Sequence, residues 1–167
     1  RYLTALGKRC SICLPSPAPH TLDFIFREGD CTTIDASLHR EQADGCILGA
    51  DLAVCLDLPC IRRADGLEEA VGQARWPKQR IERHLKPARE DFDLVFSVQD
   101  ISSTCELLFH ILQALPSCGV ECSDGKAFPE PATDCLEALM TGMTTDSNNF
   151  ANSTYPSTFE MASECLS

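Results

Sequence analysis

Short apolar runs and longer amphipathic stretches take turns along this chain, and their spacing predicts its elements. Residues 9–14 (R-C-S-I-C-L) are a short apolar run ahead of Pro15, Pro17 and Pro19, which predicts a strand entering a stiff loop. Before it, Tyr2 to Leu6 reads as the last turn of a helix closed by Gly7. Residues 22–35 form a less regular unit around Phe24, Ile25 and Phe26, and a polar helix fits 37–48, closed by Ile47 and Leu48. The run A-D-L-A-V-C-L-D over residues 50–57 is almost continuously apolar and ends on a carboxylate. Such a run predicts a central parallel strand covered on both faces.

Residues 65–75 suit a helix with Gly66 near its start and Trp76-Pro77 ending it. A short strand is expected over 79–82 and a better one over 93–97 (D-L-V-F-S). Ser103 and Glu106 have the spacing of a capping box: the hydroxyl accepts a free backbone N–H and the carboxylate reaches back. Leu107, Leu108, Ile111, Leu112 and Leu115 then make an apolar helix with more than one buried face. Residues 117–128 connect to a helix that Pro131 opens in its first turn and that runs to Met143, and a last helix fits 157–166. Strands alternating with helices predict an α/β fold, a parallel β-sheet flanked by helices. No internal repeat and no low-complexity segment interrupts it.

Composition narrows the class. A chain of 167 residues suits a single domain spanning 1–167, and 44% hydrophobic with 23% charged residues fits a globular protein. No apolar run nears the ~18 residues of a membrane span, so no membrane partner is expected. Fourteen basic against 25 acidic residues leave a net charge of −11, which argues against a broad grip on duplex DNA. A small phosphate substrate held by metal ions stays open, because clustered carboxylates are what divalent cations require. Residues Arg75, Lys78, Arg80, Arg83, Lys86 and Arg89 form a local basic run that reads first as a solvated loop and second as an attractor for phosphates.

Eleven cysteines are an odd count, so at least one thiol lacks an intramolecular partner. Cys10 and Cys13 have the spacing of half a zinc site, but no second such pair follows, and on a strand they face opposite sides. Thiols such as Cys55 and Cys165 sit among apolar residues and read as reduced core groups of a cytoplasmic protein, with a thiol redox role as the weaker alternative. No signal-peptide pattern is visible, and the opening on Arg1 reads as an internal piece of a longer protein.

In open α/β sheets, ligands bind beyond the carboxyl ends of the strands. Four features fall there: Asp57, the segment Ile81 to His84, the Ser102-Ser103-Thr104 turn, and Asp146 after the second long helix. Singly, each has a plain structural reading, as a turn cap, a surface imidazole or a helix cap. Together they form an ordered set: an L-D strand end, a strand ending in H-L-x-P, D-F-D-L-V-F-S followed by I-S-S-T-C-E-L-L, then T-G-M-x-T-D-S.

In that order the sequence resembles the DHH phosphoesterases, in their oligoribonuclease and pAp-phosphatase branch, over nearly the whole chain. The S-S-T-C-E-L-L and T-G-M-x-T-D segments are the most specific parts. The resemblance implies the N-terminal catalytic domain of a Mn2+-dependent hydrolase, lacking its first strand and its C-terminal domain. It also implies a two-metal attack of water on short oligonucleotides or on adenosine 3′,5′-bisphosphate (pAp), and a homodimer. Two such ions about 4 Å apart would lower the pKa of a bridging water and clamp the phosphate. Asp57 would be the carboxylate shared by the metals and Asp146 a ligand of one. Ser102, Ser103 and Thr104 would lie beside the phosphate, where a helix N-terminus favours anions.

The chain also departs from the pattern. The family's first motif, with its paired aspartates, would lie ahead of Arg1. The naming Asp-His-His triplet stands here as Glu82-Arg83-His84. Arg83 replaces a metal-ligating His with a cation that has no lone pair to donate. It would instead contact a phosphate directly. His84 keeps the position of the second His, which contacts phosphate and assists proton transfer. Two residues after Asp146, Asn148 stands where relatives carry Gly, and Asn tolerates positive φ. These departures leave open an alternative, a catalytically degenerate relative that serves as a nucleotide- or phosphate-binding module. For the isolated fragment they imply an inactive protein of poor solubility.

Overall fold

Positions 11–14 and 32–35 extend and pair as β1 (Ser11–Leu14) and β2 (Thr32–Asp35), parallel and in register from Ser11 opposite Thr32 to Leu14 opposite Asp35. The computed structural model describes residues 1–26, 31–74, 77–82 and 91–167. Its contacts cluster into two compact units, one of Arg1 with Leu3–Ser97, the other of Tyr2 with Val98–Ser167.

In the first unit, the single turn α1 (Tyr2–Ala5) is closed as its sequence predicts. Gly7 adopts φ 75° and donates to the Thr4 carbonyl at 2.9 Å, while Lys8 N–H reaches Leu3 O at 3.0 Å. Helix α2 (Arg40–Leu48) leads from β2 to β3 (Ala53–Leu56), and α3 (Glu68–Gln73) supplies the crossover that a parallel partner of β3 needs. Beyond them come β4 (Lys78–Glu82) and β5 (Leu94–Ser97), giving a second parallel sheet in the order β3-β4-β5. A shared apolar cluster lies between strands and helices, with Ile34 from β2, Ala43 from α2 and Leu67 and Val71 at α3 buried, and Cys13 and Cys55 packed against them.

The predicted strands at 9–14, 79–82 and 93–97 are all present, and the parallel α/β class holds. The reading of residues 50–57 as a central strand covered on both faces is corrected. Strand β3 pairs only with β4 among the described residues, so it is an edge of its sheet. Its Cys55 face meets the helical cluster, whereas Val54 and Leu56 face the other way at 39% and 50% exposure. Their register partners across the sheet, Leu94 and Phe96, are both 43% exposed. The helices of this unit cover one side of β3, and an apolar run in sequence carries no information on which side lacks a cover.

The second unit holds α4 (Thr104–Ala114), α5 (Thr133–Asp146) and α6 (Pro156–Cys165). Helix α5 begins two residues after Pro131, not on it. Ala132 is its extended cap, with ψ 157°, and the helix continues past Met143 to Asp146. Tyr2 belongs to this unit through its hydroxyl, which donates to the Pro129 carbonyl at 2.8 Å.

Candidate functional site

In the first unit, Asp57 comes directly after the last residue of β3. Its N–H still donates to the Ile81 carbonyl at 3.1 Å, continuing the β3–β4 ladder by one bond. Its φ is 53°, in the left-handed region that few residues other than Gly, Asn and Asp enter. The chain turns sharply there and leaves the carboxylate exposed at the carboxyl end of the sheet. Arg80 steadies the loop beyond this turn. It is fully buried in β4, donates from Nη1 to the Pro59 carbonyl at 2.7 Å, and stacks over Phe92 with its guanidinium carbon 5.2 Å from the ring centroid. The solvated-loop reading of the basic run is therefore wrong at Arg80. Its strand is the middle one of three, which puts its side chain between neighbours. Arg83, His84, Lys86 and Arg89 lie outside the described residues, as does Arg75.

The second unit brings the other candidates to one end of a helix pair. The Ser103 hydroxyl accepts the Glu106 N–H at 3.0 Å, as the capping box predicts. Glu106, however, does not reach back to Ser103. Its Oε2 accepts the Ser102 N–H at 3.0 Å, the Ser102 hydroxyl, and the Thr158 hydroxyl of α6 at 2.8 Å. Ser102, Ser103, Thr104 and Glu106 are all buried. Burial pushes the Glu106 carboxyl up. The hydrogen bonds from Ser102 and Thr158, with the Ser157 hydroxyl close by, outweigh that and hold it below the ordinary carboxylate range.

Asp146 closes α5 at the same end. A Cβ built on Gly142, one turn before it, would come within 3.3 Å of the Cys105 Cβ and inside contact distance of its sulfur. The last turn of α5 thus lies against the first turn of α4. Asp146 is exposed at a helix C-terminus, where a carboxylate opposes the helix dipole and a cation would relieve it. The next loop turns on Asn148, Asn149 and Phe150 at φ 51°, 57° and 64°. Buried Ser147 pins it, accepting the Phe150 N–H at 3.1 Å.

No protein-family model matches the chain, and no curated protein does. A solved structure does, with a TM-score of 0.83 at 26% sequence identity over 99% of this chain. The chain is similar to an exopolyphosphatase-related protein from Bacteroides fragilis. It spans 45% of that relative's length. The likeness fits the parallel α/β layout described above, and it covers both units.

The donor chemistry is sparser than a two-metal centre requires. Among the described residues, no group of three or more His, Cys, Asp or Glu side chains is placed to hold a metal ion. Asp57 and Asp146 are single carboxylates, one in each unit. The described residues alone do not make a metal site. None of the cysteines is disulfide-bonded, and burial, reinforced by neighbouring Cys46, pushes the Cys13 thiol up to about 11. Burial also raises Cys55 and Cys165, away from the thiolate a redox site needs. No helix among the described residues is long and apolar enough to cross a membrane.

What the sequence missed is the partner set of Glu106 and the bracing role of Arg80. The capping-box spacing marked Glu106 as a helix-start residue. The Thr158 bond joins positions 52 apart in sequence, which local spacing does not reveal.

Proposed function

We propose that residues 1–167 belong to the catalytic domain of a metal-dependent phosphoesterase of the DHH type, acting on short oligonucleotides or pAp. One observation carries this reading. The amino end of α4, which attracts anions, lies beside the carboxyl end of α5, where Asp146 attracts a cation. A phosphate accompanied by a divalent ion is the ligand that satisfies both ends together.

Asp57 and Asp146 are the carboxylates this chain offers to Mn2+, and they are part of a ligand set, not the whole of it. When bound, the metal supplies a water of lowered pKa and a clamp on phosphate oxygens. The chain's own residues do the rest. By the sequence resemblance, the Ser102–Thr104 turn would bind the phosphate. By the same resemblance, His84 would assist proton transfer and Arg83 would contribute a fixed positive charge to phosphate binding. Arg83 is also what favours the second reading, a binding module without turnover, because in the sequence pattern it takes the position of a metal-ligating His.

The deciding experiment uses the protein at its full natural length, as it stands and as Arg83→His. Mn2+-dependent release of nucleotide or phosphate is followed from a 5′-phosphorylated dinucleotide, pAp and inorganic polyphosphate. Polyphosphate is included because the solved relative is exopolyphosphatase-related. Turnover by both proteins supports the hydrolase. Turnover only by Arg83→His supports the binding module. Silence from both, with the protein folded, removes the hydrolase reading.

A further inference from the structure

We infer that Glu106 is a positioning residue for the buried Ser102–Thr104 turn, its carboxylate tying that turn to α6 and so fixing the amino end of α4 toward which the substrate phosphate is drawn. The last clause rests on the reading given under Proposed function; the tie itself does not. One carboxylate oxygen, Oε2, gathers the Ser102 N–H, the Ser102 hydroxyl and the Thr158 hydroxyl. Thr158 in turn accepts the Tyr155 N–H at 3.1 Å, so the start of α6 hangs on the same group. A short hydrogen-bonded chain thus runs from the Tyr155 backbone through Thr158 and Glu106 to the Ser102 backbone.

The anchor is one-sided. Glu106 Oε1 is equally buried and has no hydrogen-bond partner among the described residues. Its neighbour there is His110 Nε2 at 3.8 Å, on the half-exposed side of the helix. A side chain needed only to fill space would not be a carboxylate, because a fully buried charge is costly unless donors converge on it. Here three donors converge on one oxygen, and two of them come from Ser102. The arrangement fixes both the backbone and the hydroxyl of the residue that opens the turn. A neutral isostere keeps the volume and loses the charge that makes these bonds strong.

The test compares the natural protein with Glu106→Gln and Thr158→Val by amide hydrogen exchange and by binding of inorganic phosphate, read from the Ser102–Thr104 amide shifts. Glu106→Gln is expected to speed exchange at the Ser102 amide by about tenfold, the scale of one charge-assisted hydrogen bond, with the α5 amides unchanged. Phosphate affinity and, where turnover is present, KM worsen by a similar factor while kcat holds. Thr158→Val loosens the same amide to a smaller degree and serves if Glu106→Gln does not fold. Unchanged protection at Ser102, or an even loss across the whole helical unit, overturns the inference. Absence of turnover in the natural protein removes the phosphoesterase reading, while the exchange data still decide the tie.

Discussion

Asp57 shows how backbone and chemistry can be separated at one residue. Its φ of 53° costs an ordinary side chain about 1 kcal/mol, whereas Asn enters that region readily. Asp57→Asn is therefore expected to melt like the natural protein and Asp57→Ala to lose about 1 kcal/mol in urea titration, and on the proposed hydrolase reading both lose any turnover. Glu106 makes a second prediction at this scale. Its folded pKa lies below the unfolded one, so its contribution is complete above the ordinary carboxylate range and is lost as pH falls through the folded value. Acid titration of stability should show a loss below about pH 4.3 that is smaller in Glu106→Gln, which has no proton to take up. Gly142 is the third. An added methyl collides with Cys105, so Gly142→Ala should cost about 1–3 kcal/mol, partly restored by Cys105→Ala. Of these features, the sequence disclosed Asn148 and the Ser103 cap, because each is a local backbone requirement. It did not disclose the collision at Gly142 or the Thr158 bond, which exist only once helices pack.

At the level of elements, parallel strands and their crossover helices were legible because apolar period and turn residues act over a few positions. Strand β4 was found despite its arginine, following the helix end that Trp76-Pro77 marked. Two expectations failed for definite reasons. Pro131 is compatible with a first helical turn, yet Ala132 after it is extended, so the helix waits for Thr133. Strand β3 has the composition of a strand buried on both faces, and composition does not say which neighbours are in place. The start of α6 is the element most open to a direct check. Thr158→Val removes the hydroxyl that accepts the Tyr155 N–H and donates to Glu106, so a loss of about 1–2 kcal/mol is expected, measured by thermal melting.

For the molecule as a whole, the first unit presents half-exposed Val54, Leu56, Leu94 and Phe96 around buried Ile81 on one sheet face, with β3 as an edge strand among the described residues. Flat apolar edges invite pairing with other chains. Residues 1–167 alone should therefore associate in solution, and Leu56→Lys should raise the monodisperse fraction in light scattering without lowering the melting temperature. A natural sequence that is already monodisperse contradicts this. The all-parallel pairing of β1 with β2, and of β3, β4 and β5, has one more consequence, for time instead of stability. No two paired strands can meet until the long connection between them has closed, whereas α4, α5 and α6 each form from neighbours along the chain. On dilution from urea, helical ellipticity should recover first, and the sheet should trail it by a slower phase that lengthens the window in which the apolar face meets other chains.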